Sequence, residues 1–167
     1  NLTIQFGHGK HFIGNGYRSL ILSDNTFSYP FLRLQTNLGV FRYTNLYSEF
    51  MDVRNNQLSI INGYKGWSRK YMSLHFLECE INDRIKIGVF ESIIYAENHA
   101  PGVSSIDINY LNPIIFYRPV EYSLGSPDNA LIGIDLKINT YKNQFLYAQL
   151  VLDEFTLEEM KSNNGYW

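Results

Sequence analysis

Between residues 130 and 153 the chain alternates so strictly that a single strand register satisfies it. Ile132, Ile134, Leu136 and Ile138 alternate with Gly133, Asp135, Lys137 and Asn139, the period-2 pattern of a strand with two unlike faces. Leu146, Ala148, Leu150 and Leu152 then alternate with Tyr147, Gln149 and Val151. With Tyr141, Lys142 and Asn143 as the turn and Thr140 opposite Gln144, Ile138 faces Leu146, Leu136 faces Ala148, Ile134 faces Leu150 and Ile132 faces Leu152. Asp135 then falls opposite Gln149, and Lys137 opposite Tyr147, on the other face. A turn one residue shorter would set the polar residues of one strand beside the apolar residues of its partner. The segment is an antiparallel hairpin of fixed register.

Two further hairpins follow from the same logic. Around Leu38 and Gly39, pairing Asn37 with Val40 puts Leu34 opposite Tyr43 and Thr36 opposite Phe41, with Arg33, Gln35, Arg42 and Thr44 on the other face. The second of these strands continues through Tyr47 towards Met51. Residues 71–81 pair with residues 85–95 across Asn82, Asp83 and Arg84, setting Glu80 opposite Lys86 and His75 opposite Glu91 on mixed faces. Residues 55–70 read as a loop. The proline-bearing stretches 99–105 and 113–128 resist regular pairing. Residues 155–162 are expected to form a short helix, stopped by Asn163, Asn164 and Gly165.

A chain of 167 residues suffices for one domain. A net charge of -2 offers no footprint for nucleic acid. The lone Cys79 excludes an internal disulfide. No apolar run approaches the ~20 residues of a membrane helix, which leaves membrane barrels open because they hide apolar residues in alternation. The chain starts at Asn1 without Met, enters the strand-like Leu2-Thr3-Ile4-Gln5-Phe6 at once, and stops at Gly165-Tyr166-Trp167. The expectation is a fragment: residues 1–167 as a single domain within a larger barrel.

Alternation suits a soluble barrel or sandwich as well as a membrane barrel. Two features favour the membrane. One face of the best hairpin is uniformly aliphatic, while Tyr43, Tyr47, Tyr71, Tyr95 and Tyr141 lie near strand ends, where a girdle at the lipid boundary would sit. The opposite face carries Asp135, Lys137, Gln149, Arg33 and Arg42, which suits a wet lumen. Aromatic content of 16% with 18% charged residues agrees with either class of β-protein.

Loop motifs carry a resemblance. The runs Gly7-His8-Gly9-Lys10-His11-Phe12-Ile13-Gly14-Asn15-Gly16-Tyr17-Arg18-Ser19-Leu20, Asp107-Ile108-Asn109-Tyr110-Leu111-Asn112-Pro113-Ile114-Ile115-Phe116-Tyr117-Arg118-Pro119-Val120-Glu121 and Leu124-Gly125-Ser126-Pro127-Asp128-Asn129-Ala130-Leu131 resemble the capsule assembly Wzi-like family of Bacteroidetes, gliding motility RemB-like proteins among them. The resemblance spans nearly the whole chain. It implies an all-β fold, an incomplete antiparallel up-and-down β-barrel of the bacterial outer membrane with long loops. It also implies a non-enzymatic role in surface polysaccharide (capsule) attachment or assembly, or in gliding. The partners so implied are outer-membrane lipid, surface polysaccharide and gliding-machinery proteins. Known members of the family are larger.

Candidate chemistry is sparse, and no cofactor is expected. His8 and His11 are too few to hold a metal, with no Cys or carboxylate close in sequence. Lys10 does not complete a phosphate-binding loop. The glycine-rich stretch reads instead as a tight turn folded against the barrel wall. Glu91, Glu97 and Asp107 would be the carboxylates of a carbohydrate-active enzyme, the alternative to a binding barrel, and a soluble lipocalin-like carrier is a third possibility. Cys79 has no nucleophile signature and reads as a packed thiol. The densest polar set is Asp107, Asn109, Asn112, Arg118, Glu121, Asp128 and Asn129, interleaved with Tyr110, Phe116 and Tyr117. It could hydrogen-bond and stack on sugars at a lumen or rim surface. The preferred reading is structural: an inward-folded segment pinned to the wall, with Arg118 pairing Glu121 or Asp107.

Overall fold

The computed structural model of the chain describes residues 1–52, 59–61, 64–66, 68–96, 108–114 and 129–153. Its elements are β1 (Leu2–Gly9), β2 (Tyr29–Leu38), β3 (Phe41–Asp52), β4 (Ser59–Ile61), β5 (Tyr64–Gly66), β6 (Ser68–Asn82), β7 (Ile85–Ala96), a 3-10 turn (Ile108–Leu111), β8 (Asn129–Tyr141) and β9 (Gln144–Asp153). Seven of these strands form one antiparallel up-and-down sheet in the order β1-β2-β3-β6-β7-β8-β9, and β4 pairs with β5 separately. The sheet is not closed. Each strand reverses the direction of its neighbour, so β1 and β9 point the same way. The expected loop at 55–70 therefore holds a small hairpin and the start of β6. The expected helix at 155–162 lies outside the described residues, among which no helix is long and apolar enough to cross a membrane.

The connections are sorted by length. At one end of the sheet they are two-residue turns at 39–40, 83–84 and 142–143. At the other end they span residues 10–28, 53–67 and 97–128. The tight turns follow from local chemistry. Gly39 and Asn143 take positive φ, 59° and 61°, a region open to glycine and tolerated by asparagine. Asn82 Oδ1 accepts hydrogen bonds from the backbone N–H groups of Arg84 and Ile85, both at 2.9 Å.

The expected registers hold for two hairpins. Asp135 pairs with Gln149 and Ile138 with Leu146, while His75 pairs with Glu91 and Glu80 with Lys86. In each, the three-residue turn resolves into two residues plus a bulge, between Glu80 and Asn82 and between Asn139 and Tyr141. The first hairpin differs from expectation. Leu38 pairs with Phe41 and Thr36 with Tyr43, a slip of two residues. Such a slip keeps every side chain on its own face, so alternation cannot detect it. The turn decides: the glycine must occupy the first central position, where φ is positive.

Pairing aligns two distinct faces. One carries Gln5, Arg33, Arg42, Leu46, Leu74, Phe90, Asp135 and Gln149 in register across the strands, and is called the polar face below. The other is aliphatic at both flanks, where Leu2, Ile4 and Phe6 of β1 and Ile134, Leu146 and Leu150 of β8 and β9 are each more than half exposed. At its centre this second face changes character. Asn45, Ser73, His75 and Glu91 of β3, β6 and β7 are buried there.

Each face has its own core. On the polar face Ile13 and Ile21, from the 10–28 connection, pack with Leu46, Met72, Leu74, Phe76 and Phe90. On the opposite face Tyr110 packs with Tyr71, Ile93 and Tyr95. Burying that ring excludes water from its neighbours and favours the packed arrangement. The expected tyrosine girdle is thereby corrected. Tyr47, Tyr71 and Tyr95 are buried, and Tyr43 donates to the Pro113 carbonyl at 2.8 Å. They pack against residues 108–114, and of the expected set only Tyr141 stands exposed. Their placement near strand ends fits either role, because a segment folded over the sheet also covers strand ends.

Candidate functional site

The glycine-rich stretch after β1 crosses the polar face and is fastened on its far side. Asp135 is fully buried, and its carboxylate accepts three hydrogen bonds. They come from the Asn15 backbone N–H at 3.0 Å, from the Asn15 side-chain amide, and from Gln149 Nε2 at 2.7 Å. Gln149 Oε1 in turn accepts the Leu20 N–H at 2.9 Å. Ser19 Oγ donates to the Ile13 carbonyl and accepts from the Ile21 N–H, and Ile13 N–H bonds Leu22 O at 3.0 Å. The result is a latch between a loop near one edge of the sheet and the two strands at the other edge. Gly14 makes it possible. Its φ is +108°, and an added Cβ would lie within 3.0 Å of Gln149 Nε2 and Ser19 Oγ, so both conformation and space demand glycine.

The stretch folds against the sheet as expected, but as the end of β1 and the long 10–28 connection and not as a tight turn. The two histidines are separated by the sheet. His8 of β1 pairs with Pro30 of β2 and shares the aliphatic side with Phe6. His11 meets the Phe31 ring edge-on at 4.1 Å, with Nδ1 3.3 Å from the Tyr29 hydroxyl, on the polar side. Burial, and then the positive charge of Arg33, hold the His11 imidazole below its ordinary pKa. It is therefore neutral near pH 7. Among the described residues no group of three or more His, Cys, Asp or Glu is placed to hold a metal.

Towards the tight-turn end the polar face carries charged side chains. Arg33 donates to Gln5 Oε1 at 3.3 Å and to Gln35 Oε1. Arg42 pairs with Glu78 at 3.0 Å, and Lys86 pairs with Glu80. Lys137 lies over the Phe145 ring, 4.8 Å from its centroid.

Residues 108–114 lie on the opposite face. Tyr110 is buried beneath them, the Tyr47 hydroxyl donates to Leu111 O at 3.1 Å, and His75 hydrogen-bonds the Asn112 backbone. The segment forms a strap over the polar centre of the otherwise aliphatic face, with Ile108, Leu111 and Ile114 exposed on its own far side.

The expected site set is thereby divided. Asn109, Tyr110 and Asn112 belong to the strap, and Asn129 belongs to β8, where it pairs with Ile94 on the polar face. Asp107, Arg118, Glu121 and Asp128 lie outside the described residues, as do Phe116, Tyr117 and the Arg118 pairing. Tyr43, Tyr47 and His75 hold the strap on the aliphatic side. It covers the buried row Asn45, His75 and Glu91. Glu91, a carboxylate considered for catalysis, is buried in that row.

The Asp135 latch was not legible as such, although Asp135 and Gln149 were already paired on one face. Buried carboxylate partners from a loop more than a hundred residues away leave no periodic trace. No protein-family model, curated protein or solved structure matches this chain.

Proposed function

We propose that this chain is part of a non-enzymatic outer-membrane β-barrel that attaches or assembles surface polysaccharide, with a role in gliding as the related alternative. The observation carrying this reading is the sorting of connections: three two-residue turns at one end of the sheet and three long connections at the other. Outer-membrane barrels have short periplasmic turns and long outward loops. The exposed aliphatic flanks of β1, β8 and β9 would then touch acyl chains, and the polar face would border the lumen. The latched 10–28 connection narrows that lumen from the outward end.

The strap limits lipid contact to the flanks of the aliphatic side. Irregular backbone is tolerated at membrane depth only where it is buried in protein or lines a water-filled cavity, so on this reading the outer side of residues 108–114 faces protein or water and not acyl chains. Here the carbonyls of Leu111 and Pro113 receive tyrosine hydroxyls. Because β1 and β9 run parallel, an all-antiparallel barrel must be completed by an odd number of additional strands.

A gene-deletion experiment tests the role. Cells lacking the protein are expected to make polysaccharide of unchanged composition and to release most of it into the medium. Unchanged retention with normal gliding would contradict the proposal. A change in glycan structure would favour an enzyme.

A further inference from the structure

On the reading of the polar face as a water-filled, polysaccharide-handling surface, Arg33 stands out. It lies on β2 with Gln5 of β1 beside it and Gln35 two residues along. Both of its hydrogen-bond partners are neutral amide oxygens. One N–H on each terminal nitrogen is thus committed and one on each remains, out of the five donors a guanidinium carries. None of the ion pairs among the described residues includes Arg33. Another cation, Arg42 of β3, stands on the same face. Arg42 is half exposed and spends one contact on Glu78.

The two arginines and one carboxylate leave the cluster net positive. Two amides fix the Arg33 fork in place, so little rotamer freedom remains to be lost on binding. Beyond Arg33 on the same face lie Phe31, with His11 packed on its ring, and then Tyr29. A positioned guanidinium with spare paired donors beside aromatic carbon is the combination that recognises a sugar bearing an anionic group. The guanidinium takes the anion in bidentate fashion, and the half-buried Phe31 ring offers its face to the sugar's C–H groups.

We propose that Arg33, oriented by Gln5 and Gln35 and reinforced by Arg42, binds the anionic substituent of an acidic saccharide on the polar face. The inference deepens the polysaccharide reading and depends on it. Neutral glycans would lack the contact that matters most, and affinity would fall as salt rises.

The test uses the full chain in detergent micelles, titrated calorimetrically with tetragalacturonate and with its neutral methyl ester. The wild type is expected to bind the acid at least tenfold more tightly than the ester. Arg33→Gln is expected to weaken acid binding about tenfold or more, while leaving ester binding unchanged. Arg33→Lys should recover part of the loss, and Lys142→Gln, at the remote 142–143 turn, should change nothing. Unaltered heat-modifiable migration confirms that each variant folds. Equal binding of acid and ester, or an Arg33→Gln variant that binds the acid as the wild type does, overturns the inference and leaves the polysaccharide reading standing. Binding of neither form also overturns it, and the retention experiment then judges the broader reading separately.

Discussion

Gly133→Ala is expected to destabilise the folded sheet by about 3 kcal/mol or more, the upper range for overpacking at a site that cannot relax. A Cβ at this position would fall well within 3.0 Å of the Leu150 carbonyl oxygen and of Phe90 Cε1. The first obstacle is backbone of the paired strand β9, and the second is a core ring that is itself buried. Neither can move without parting β8 from β9 or opening the core. Gly7→Ala is the matched control. The added carbon would meet only the Phe31 ring, at 3.6 Å, an ordinary contact, and strand interiors generally favour alanine over glycine. Chemical denaturation of both variants, followed by far-ultraviolet circular dichroism of the sheet, should separate them clearly. Equal stability of the two would mean that Gly133 has room the structure does not give it.

Replacing Asp135 with leucine is expected to release the 10–28 connection from the sheet. Three donors lose their common acceptor: the Asn15 N–H, the Asn15 amide and Gln149 Nε2. Leaving buried donors unsatisfied costs about 1–3 kcal/mol each, so the loss is on the order of 3 kcal/mol or more. Asp135→Asn keeps one acceptor oxygen and should cost less. The readout is local. Protease should cut within residues 10–28 in Asp135→Leu at concentrations that spare the wild type, while the strands stay protected. Combining Asp135→Leu with Asn15→Ala should give less than the sum of the two, since both remove the bond between the Asn15 amide and Asp135. Wild-type protease resistance in Asp135→Leu would show that Ile13, Ile21 and the Gln149 bonds hold the loop without Asp135.

The sequence carried the sheet well and its covers poorly, for a physical reason. Pairing within a hairpin is local and periodic, so the alternation of residues 130–153 specified Asp135 opposite Gln149, and the 71–95 hairpin specified His75 opposite Glu91, as observed. A two-residue slip preserves that periodicity, and only the demand of Gly39 for positive φ placed the first turn. Loop packing is neither local nor periodic. Nothing in the spacing of Asn15 or Ser19 names Asp135 and Gln149 as their partners. Likewise the mixed face around His75 announced an exception without showing what covers it, and the tyrosines that pack on Tyr110 look in sequence like a boundary girdle. Arg33 was readable as a polar-face residue; its pairing with two amides, and not with a carboxylate, required the coordinates.

The account rests on the aliphatic flanks meeting acyl chains while the polar face meets water. The direct measurement is fluorescence quenching by brominated lipids in reconstituted vesicles. A bimane label is attached at Ile4→Cys, Leu150→Cys, Gln35→Cys or Lys137→Cys, each in a Cys79→Ala background. Strong quenching is predicted at positions 4 and 150, with little at 35 and 137, where a water-soluble quencher should act instead. Quenching by lipid at 35 and 137, or at none of the four, would contradict the account.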